Sequence, residues 1–228
     1  MQVQEKNIKG FNLIELLVVI AIISVISAAA YPNFSSWKKA REVRGAAVKI
    51  KSLFTNINSQ VQRGLYGFVQ VEVTASTTGG EVVVISKGMK LSNLAQKINN
   101  SEDDWNKDQT SRCAKDQDWD DEGMDSEGIK SNKLEVNSLK FDDIAVNFEG
   151  KSGTVCFSKD GSWYSTAEEF DSSGAFYICE VKEIECDVKA DGVPNDLNQD
   201  NLFALNWSRF GNITLEKWSK SKSEWILQ

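Results

Sequence analysis

The first ten residues are largely polar and end in a glycine, and apolar side chains then run almost unbroken from Phe11 to Ala30. Glu15 is the one ionisable residue inside that run. About 20 apolar-dominated residues are what a bilayer core demands of a helix, so residues 11–31 read as a membrane-spanning segment. After Pro32 the pattern changes register without stopping. Ala40, Val43, Ala47, Ile50, Phe54, Ile57 and Val61 recur at alternating spacings of three and four, which collects them on one helix face. A proline inside a long helix bends it, and Gly64 is a natural stop. One long bent helix is therefore predicted from residue 11 to about residue 62. Its second half, within 32–63, lays an apolar stripe on a globular head.

Beyond Gly64 the period falls to two. Phe68–Val73 alternates apolar and polar residues, residues 77–80 are turn-rich, and Glu81–Ser86 is β-branched, so a hairpin is predicted. Residues 89–98 fit a short helix or a loop. From 99 to 128 the chain is polar and acidic, with Trp105, Trp119 and Met124 as its large apolar residues, the profile of a surface insertion. Strands are predicted again at Leu134–Phe141, Ile144–Phe148, Thr154–Ser158, Phe176–Val181, Leu202–Ser208 and Ile213–Trp218, separated by glycine-bearing turns. The fold class is α+β: a long amino-terminal helix on a mostly antiparallel sheet or sandwich occupying residues 64–228.

A carboxylate inside an apolar run costs roughly 2.5–3.5 kcal/mol on insertion scales unless it finds a partner. Cutting the peptide bond after Gly10 would create that partner, an ammonium at Phe11. The pattern Lys9-Gly10-Phe11-x-x-x-Glu15-Leu16-Leu17, with Pro32 just beyond the apolar run, resembles type IV prepilins and pseudopilins. The resemblance implies a structural subunit and not an enzyme. It further implies that residues 1–10 are a leader clipped after Gly10 by the prepilin peptidase, that Phe11 becomes a methylated amino terminus, and that residues 11–31 persist as anchor and filament core. Glu15 would then neutralise the amine of an adjacent subunit during assembly. The implied partners are other pilin or pseudopilin subunits, the peptidase, inner-membrane assembly proteins, and lipids around residues 11–31. The implied location is the inner membrane, single-pass with a periplasmic head, followed by a pilus or pseudopilus at the cell surface.

Within that superfamily, an early hairpin follows the helix directly. Later come Thr154–Gly161, then Phe176–Cys179, and near the end Phe203–Leu215 with Gly211 between two strands. This succession resembles the H-type minor pseudopilins of type II secretion and the FimT-like minor pilins, which implies a minor subunit; the insertion 99–128 has no counterpart in it. Two other readings of the amino terminus compete. Lys6, Lys9 and the small residues Ala28-Ala29-Ala30 before Tyr31 fit a secretory signal cleaved after Ala30, although a signal core gains nothing from Glu15. A plain anchor with no assembly role has the same hydrophobic length.

Composition narrows the chemistry. The chain has no histidine, which removes Ser-His-Asp and Cys-His catalysis and the usual zinc ligand sets. A net charge of −7 argues against a generic nucleic-acid binder. The four cysteines, Cys113, Cys156, Cys179 and Cys186, lie in the region predicted to be exported and contain no CxxC spacing, so disulfides are expected. Cys156–Cys179 with Cys113–Cys186 is the favoured pairing, since Cys156 and Cys179 both sit in strand-like runs. Cys113–Cys156 with Cys179–Cys186 stays open.

No cofactor is required, but two acidic stretches suggest calcium. Asp116, Asp118, Asp120 and Glu127 are spaced like loop ligands, yet Asp121 stands where an EF-hand loop wants glycine. In 187–198 the glycine, Gly192, is in place, and Asp187, Asp191, Asn195 and Asn198 are the candidate ligands. That segment is similar to the calcium loops of thrombospondin-type repeats, with Lys189 where an acid is expected. Solvated acidic loops are the plainer alternative. Lys38, Lys39, Arg41, Arg44, Lys49 and Lys51 decorate the helix after Pro32, facing lipid headgroups, acidic neighbours or simply water. Some FimT-like pilins are DNA receptors for uptake. By that analogy Arg209, Lys217, Lys220 and Lys222, with Trp218 and Trp225 nearby, are candidate DNA contacts, diluted by Glu216 and Glu224. A DNA-binding competence pilin is thus the alternative function.

Overall fold

The computed structural model describes residues 12–75, 81–99, 113, 134–142, 144–147, 152–159, 163–165, 175–180, 186, 188–189, 192–196, 199–208 and 212–228. The chain divides into two compact units, Met1–Ala40 and Arg41–Gln228. Helix α1, Leu13–Gln62, runs from the first into the second and continues through Pro32.

From Leu13 to Ala28 the helix is apolar on every side apart from Glu15, Ser24 and Ser27. Its large side chains from Leu13 to Ile26 are 44–79 % exposed, so in isolation they have no core to join. Among the described residues no helix is long and apolar enough to cross a membrane.

In the second unit α1 acquires a buried face. Val43, Ala46, Ala47, Ile50, Phe54, Ile57 and Val61 are each at most 4 % exposed, which matches the three-and-four spacing that predicted the stripe. The helix stops where the backbone turns left-handed. Gly64 has φ +75°, the Leu65 N–H donates to the Gln60 carbonyl at 3.1 Å, and the Gly64 N–H donates to the Val61 carbonyl at 2.9 Å. That pair of bonds satisfies carbonyls the last turn would otherwise orphan, and only glycine adopts this conformation without a steric cost.

The predicted hairpin is present as β1, Phe68–Ala75, and β2, Glu81–Met89, in register from Phe68↔Met89 to Ala75↔Val82. The ambiguous segment after it is a helix, α2, Leu91–Asn99. Then follow β3 (Leu134–Asp142), β4 (Ile144–Asn147), β5 (Ser152–Ser158), β6 (Trp163–Ser165), β7 (Ala175–Glu180), β8 (Phe203–Trp207), β9 (Ile213–Ser219) and β10 (Glu224–Leu227). Strands β6 and β10 were not anticipated from the sequence. The strands form two five-stranded sheets, ordered β3-β2-β1-β5-β6 and β10-β9-β8-β7-β4, with antiparallel pairing throughout.

One core joins the helix to both sheets. Val69, Val71 and Val73 of β1 and Val155 and Phe157 of β5 enter it from the first sheet. Phe176 and Ile178 of β7, Phe203, Leu205 and Trp207 of β8 and Leu215 of β9 enter it from the second. Each sheet carries a second, smaller cluster on its other face. Phe68, Met89, Cys113 and Cys156 gather there with Leu94 of α2 on the first sheet. Ala145, Cys179, Cys186, Leu202 and Trp218 gather on the second. At the edge strand β3, Lys140 Nζ lies 2.7 Å from a Glu81 carboxylate oxygen on β2. That hydrogen bond, with the charge behind it, raises Lys140 above the ordinary lysine range. A charged edge also discourages pairing with other strands.

Candidate functional site

Gly10 and Phe11 lie outside the described residues, as does the rest of the leader 1–10. Asn12 is the N-cap of α1: the Ile14 N–H lies 3.4 Å from Asn12 Oδ1, and the Glu15 and Leu16 N–H groups donate to the Asn12 carbonyl at 3.0 and 3.2 Å. Asn12 is a favoured capping residue because its side-chain oxygen meets a first-turn donor. Glu15 therefore occupies the first turn, as its acidic residue, where the positive end of the helix dipole favours a carboxylate. It sits in solvent among exposed Leu13, Ile14, Leu16 and Leu17. Glu15 thus stands at the amino-terminal end of the exposed apolar stretch Leu13–Ile26.

The cysteines correct the favoured pairing. The disulfides are Cys113–Cys156, with Cα atoms 5.7 Å apart, and Cys179–Cys186, 5.8 Å apart. Cys156 is on β5 in the first sheet and Cys179 on β7 in the second, each in the cluster on its own sheet's far face. Strand-like surroundings gave no hint that the two strands belong to different sheets. The first bond closes a sequence separation of 43 and the second one of 7. Chain entropy assigns about 4 kcal/mol to the longer loop and about 2.5 kcal/mol to the shorter. Urea melts should therefore show a larger loss for the paired Cys113→Ala and Cys156→Ala change than for Cys179→Ala with Cys186→Ala. The reverse order would refute the loop-entropy account.

Gln70 was not singled out from the sequence, and it holds the first bridge in place. Alternation along β1 would put it on a solvated face, yet it is 1 % exposed. It pairs in register with Cys156, and its Nε2 donates to the Cys113 carbonyl at 3.2 Å. That hydrogen-bond partner lies 43 residues away in sequence, so no local signal could have found it.

The calcium candidates are not brought together among the described residues. Asp187, Asp191 and Asn198 lie outside them, as do Asp116, Asp118, Asp120 and Glu127; Asn195 is described. Among the described residues there is no group of three or more Cys, Asp or Glu side chains that could hold a metal ion. Gly192 has a conformational reason of its own. Its φ is +79°, its N–H donates to the Lys189 carbonyl at 2.9 Å, and the Lys189 N–H donates to the Val193 carbonyl at 2.9 Å. With the Val188↔Pro194 bridge, this makes a miniature hairpin. Trp225 Nε1 pins it by donating to the Gly192 carbonyl at 3.1 Å.

The basic carboxy-terminal candidates are mostly neutralised. Arg209 lies outside the described residues. Lys220 pairs with Asp200 at 2.8 Å and Lys222 with Glu224 at 3.6 Å, while Lys217 Nζ stands 5.9 Å from the centre of the Phe203 ring. Trp218 is buried beneath Trp225, ring centres 5.4 Å apart, and Trp225 also packs on Tyr177 at 5.8 Å. Folding this segment as the β9–β10 hairpin turns both indoles inward, away from the role of stacking platform for bases.

Comparison with known proteins bears on the amino terminus. Residues 6–31 match the family described as the prokaryotic N-terminal methylation motif, a span that contains Gly10, Phe11 and Glu15. The chain is 40 % identical over 47 residues to the type IV major pilin protein PilA of Myxococcus xanthus, which is 21 % of each chain. It is 36 % identical over 56 residues to a fimbrial protein of Pseudomonas aeruginosa, covering 25 % of this chain and 36 % of that one. The chain thus spans about a fifth to a third of the length of these relatives. No solved structure matches. The chain thus carries the prokaryotic N-terminal methylation motif at residues 6–31 and is similar over its amino-terminal part to type IV pilin and fimbrial proteins, with a long helix packed on antiparallel sheets.

Proposed function

We propose that this chain is a prepilin-like subunit of a type IV pilus or a type II secretion pseudopilus, cleaved after Gly10 and built into the filament through its amino-terminal helix. The observation that carries the reading is the continuity of α1. The helix that starts in the apolar run is the same element that buries Phe54 in the head. A cut after Ala30 would sever that element and discard its first part, whereas a cut after Gly10 leaves it whole. The exposed cylinder from Leu13 to Ile26 needs an apolar covering. A bilayer supplies it before assembly, and neighbouring helices supply it after.

The finer assignment is a minor subunit of the H-type or FimT-like kind. It is supported by the hairpin β1–β2 directly after the helix, and by the late β8–β9 hairpin, closed by the Ser208 N–H bond to the Asn212 carbonyl at 3.0 Å. The partners are then other pilin or pseudopilin subunits, the prepilin peptidase and the inner-membrane assembly proteins. The subunit waits in the inner membrane with its head in the periplasm. Mass spectrometry of the protein from its native host tests the reading: the mature terminus is expected at methylated Phe11. A terminus at Tyr31 would overturn it.

A further inference from the structure

Immediately beyond the apolar run, α1 carries Tyr31, Phe34 and Trp37, exposed by 74 %, 62 % and 53 %. Phe34 and Trp37 lean on one another with ring centres 5.9 Å apart. Lys38 and Lys39 follow at once, both exposed. Three large aromatic residues on the outside of a helix would ordinarily be a liability in water. Their order along the axis gives them a use.

At 1.5 Å per residue, Leu13–Ala30 extends about 27 Å, close to the roughly 30 Å hydrocarbon thickness of a bilayer. The next six residues advance about 9 Å, comparable with a headgroup zone of about 5–8 Å on each side. Apolar, then aromatic, then cationic is the order of hydrocarbon, glycerol–carbonyl region and phosphate met on leaving a membrane. Tyrosine and tryptophan partition to that boundary because each joins an apolar ring to a polar atom. Side chains on a helix also lean towards its amino terminus. The rings of Phe34 and Trp37 therefore reach back towards the hydrocarbon, and the two ammonium groups reach back towards the phosphates.

We propose that Tyr31, Phe34 and Trp37 with Lys38 and Lys39 form an interfacial collar that sets the depth of the helix and binds anionic phospholipid headgroups. The occupant is lipid rather than a second copy of the chain, because positive charge abuts the aromatic ring set and the axial spacing fits a headgroup layer. This inference rests on the membrane-anchored reading above.

The test uses the full chain reconstituted into phosphatidylcholine vesicles, with and without phosphatidylglycerol. Quenching by brominated lipids is read as the difference between the wild type and Trp37→Phe. Bromine placed near the headgroup end of the acyl chain is expected to quench Trp37 more than bromine near the methyl end. Spin-labelled lipids should report a preference for phosphatidylglycerol over phosphatidylcholine that falls by about fivefold for each of Lys38→Gln and Lys39→Gln. A chain that floats with the vesicles but leaves Trp37 unquenched, or shows no lipid preference, overturns the collar and leaves the anchor standing. Protection of Trp37 that rises only with protein density assigns the face to a second copy and also overturns it. A chain that fails to float removes the anchor reading, and the collar falls with it.

Discussion

Phe54→Ala is expected to destabilise the head by about 3–5 kcal/mol, the usual range for emptying a buried phenylalanine site. Phe54 is fully buried, and it is the residue through which α1 grips both sheets at once. Its ring meets Phe157 of the first sheet edge-on at 6.0 Å, and stacks with Phe176 at 6.5 Å and Trp207 at 5.8 Å, both of the second sheet. None of those three rings can collapse into the vacancy without leaving its own strand, so little of the cavity should be recovered by relaxation. A domain of this size loses roughly 2–4 °C of melting temperature per kcal/mol, which puts the expected shift at roughly 10 °C. Thr55→Ala is the matched control, since Thr55 is exposed and its hydroxyl only returns to the Lys51 carbonyl at 2.8 Å. It should change stability by no more than about 0.5 kcal/mol. A Phe54→Ala loss below about 1 kcal/mol would mean that the helix is not bound to the sheets through this residue.

Glu15→Ala is expected to leave cleavage after Gly10 intact while depressing incorporation into filaments more than a hundredfold. The argument rests on the function proposed above. In an assembled core the amine at Phe11 of one subunit would be buried against other helices. Removing one partner of a buried pair costs about 3–5 kcal/mol, because the remaining charge is left desolvated and uncompensated. The folded head should be indifferent to the change, since Glu15 lies in the first unit and is exposed there. Equal melting curves, equal amounts of the Phe11 terminus by mass spectrometry, and a filament fraction nearly empty of the variant are the combined signature. Glu15→Asp, which keeps the charge, should recover part of the incorporation. Wild-type incorporation of Glu15→Ala would sink the proposed role.

Much of the architecture was legible from local pattern. The three-and-four spacing from Val43 to Val61 located the buried helix face, because helical geometry alone puts those positions on one side. Gly64 was read as the stop, and it is the left-handed cap. Alternation found β1, and β-branched density found β2. The strands that were missed are short: β6 has three residues and β10 four. In β10 the ladder with β9 starts only five residues back, at Glu224↔Ser219, but the Trp225–Gly192 bond spans 33 residues and is not local.

The sequence by itself determined the features that depend on neighbours along the chain: the Gly10-Phe11-x-x-x-Glu15 opening, the helix with its apolar and amphipathic halves, most strands, and a chemistry without histidine. Tertiary structure alone decided the features that depend on which strands become neighbours in space. The two-sheet order sent Cys156 and Cys179 to different sheets and so selected Cys113–Cys156 and Cys179–Cys186. It buried Gln70, whose amide donates to the Cys113 carbonyl 43 residues away, and it folded Trp218 and Trp225 inward. Periodicity specifies which side of an element is apolar, but a pattern of period two is the same in every strand. Strand pairing is decided by the summed fit of side chains on both faces, which no single segment contains.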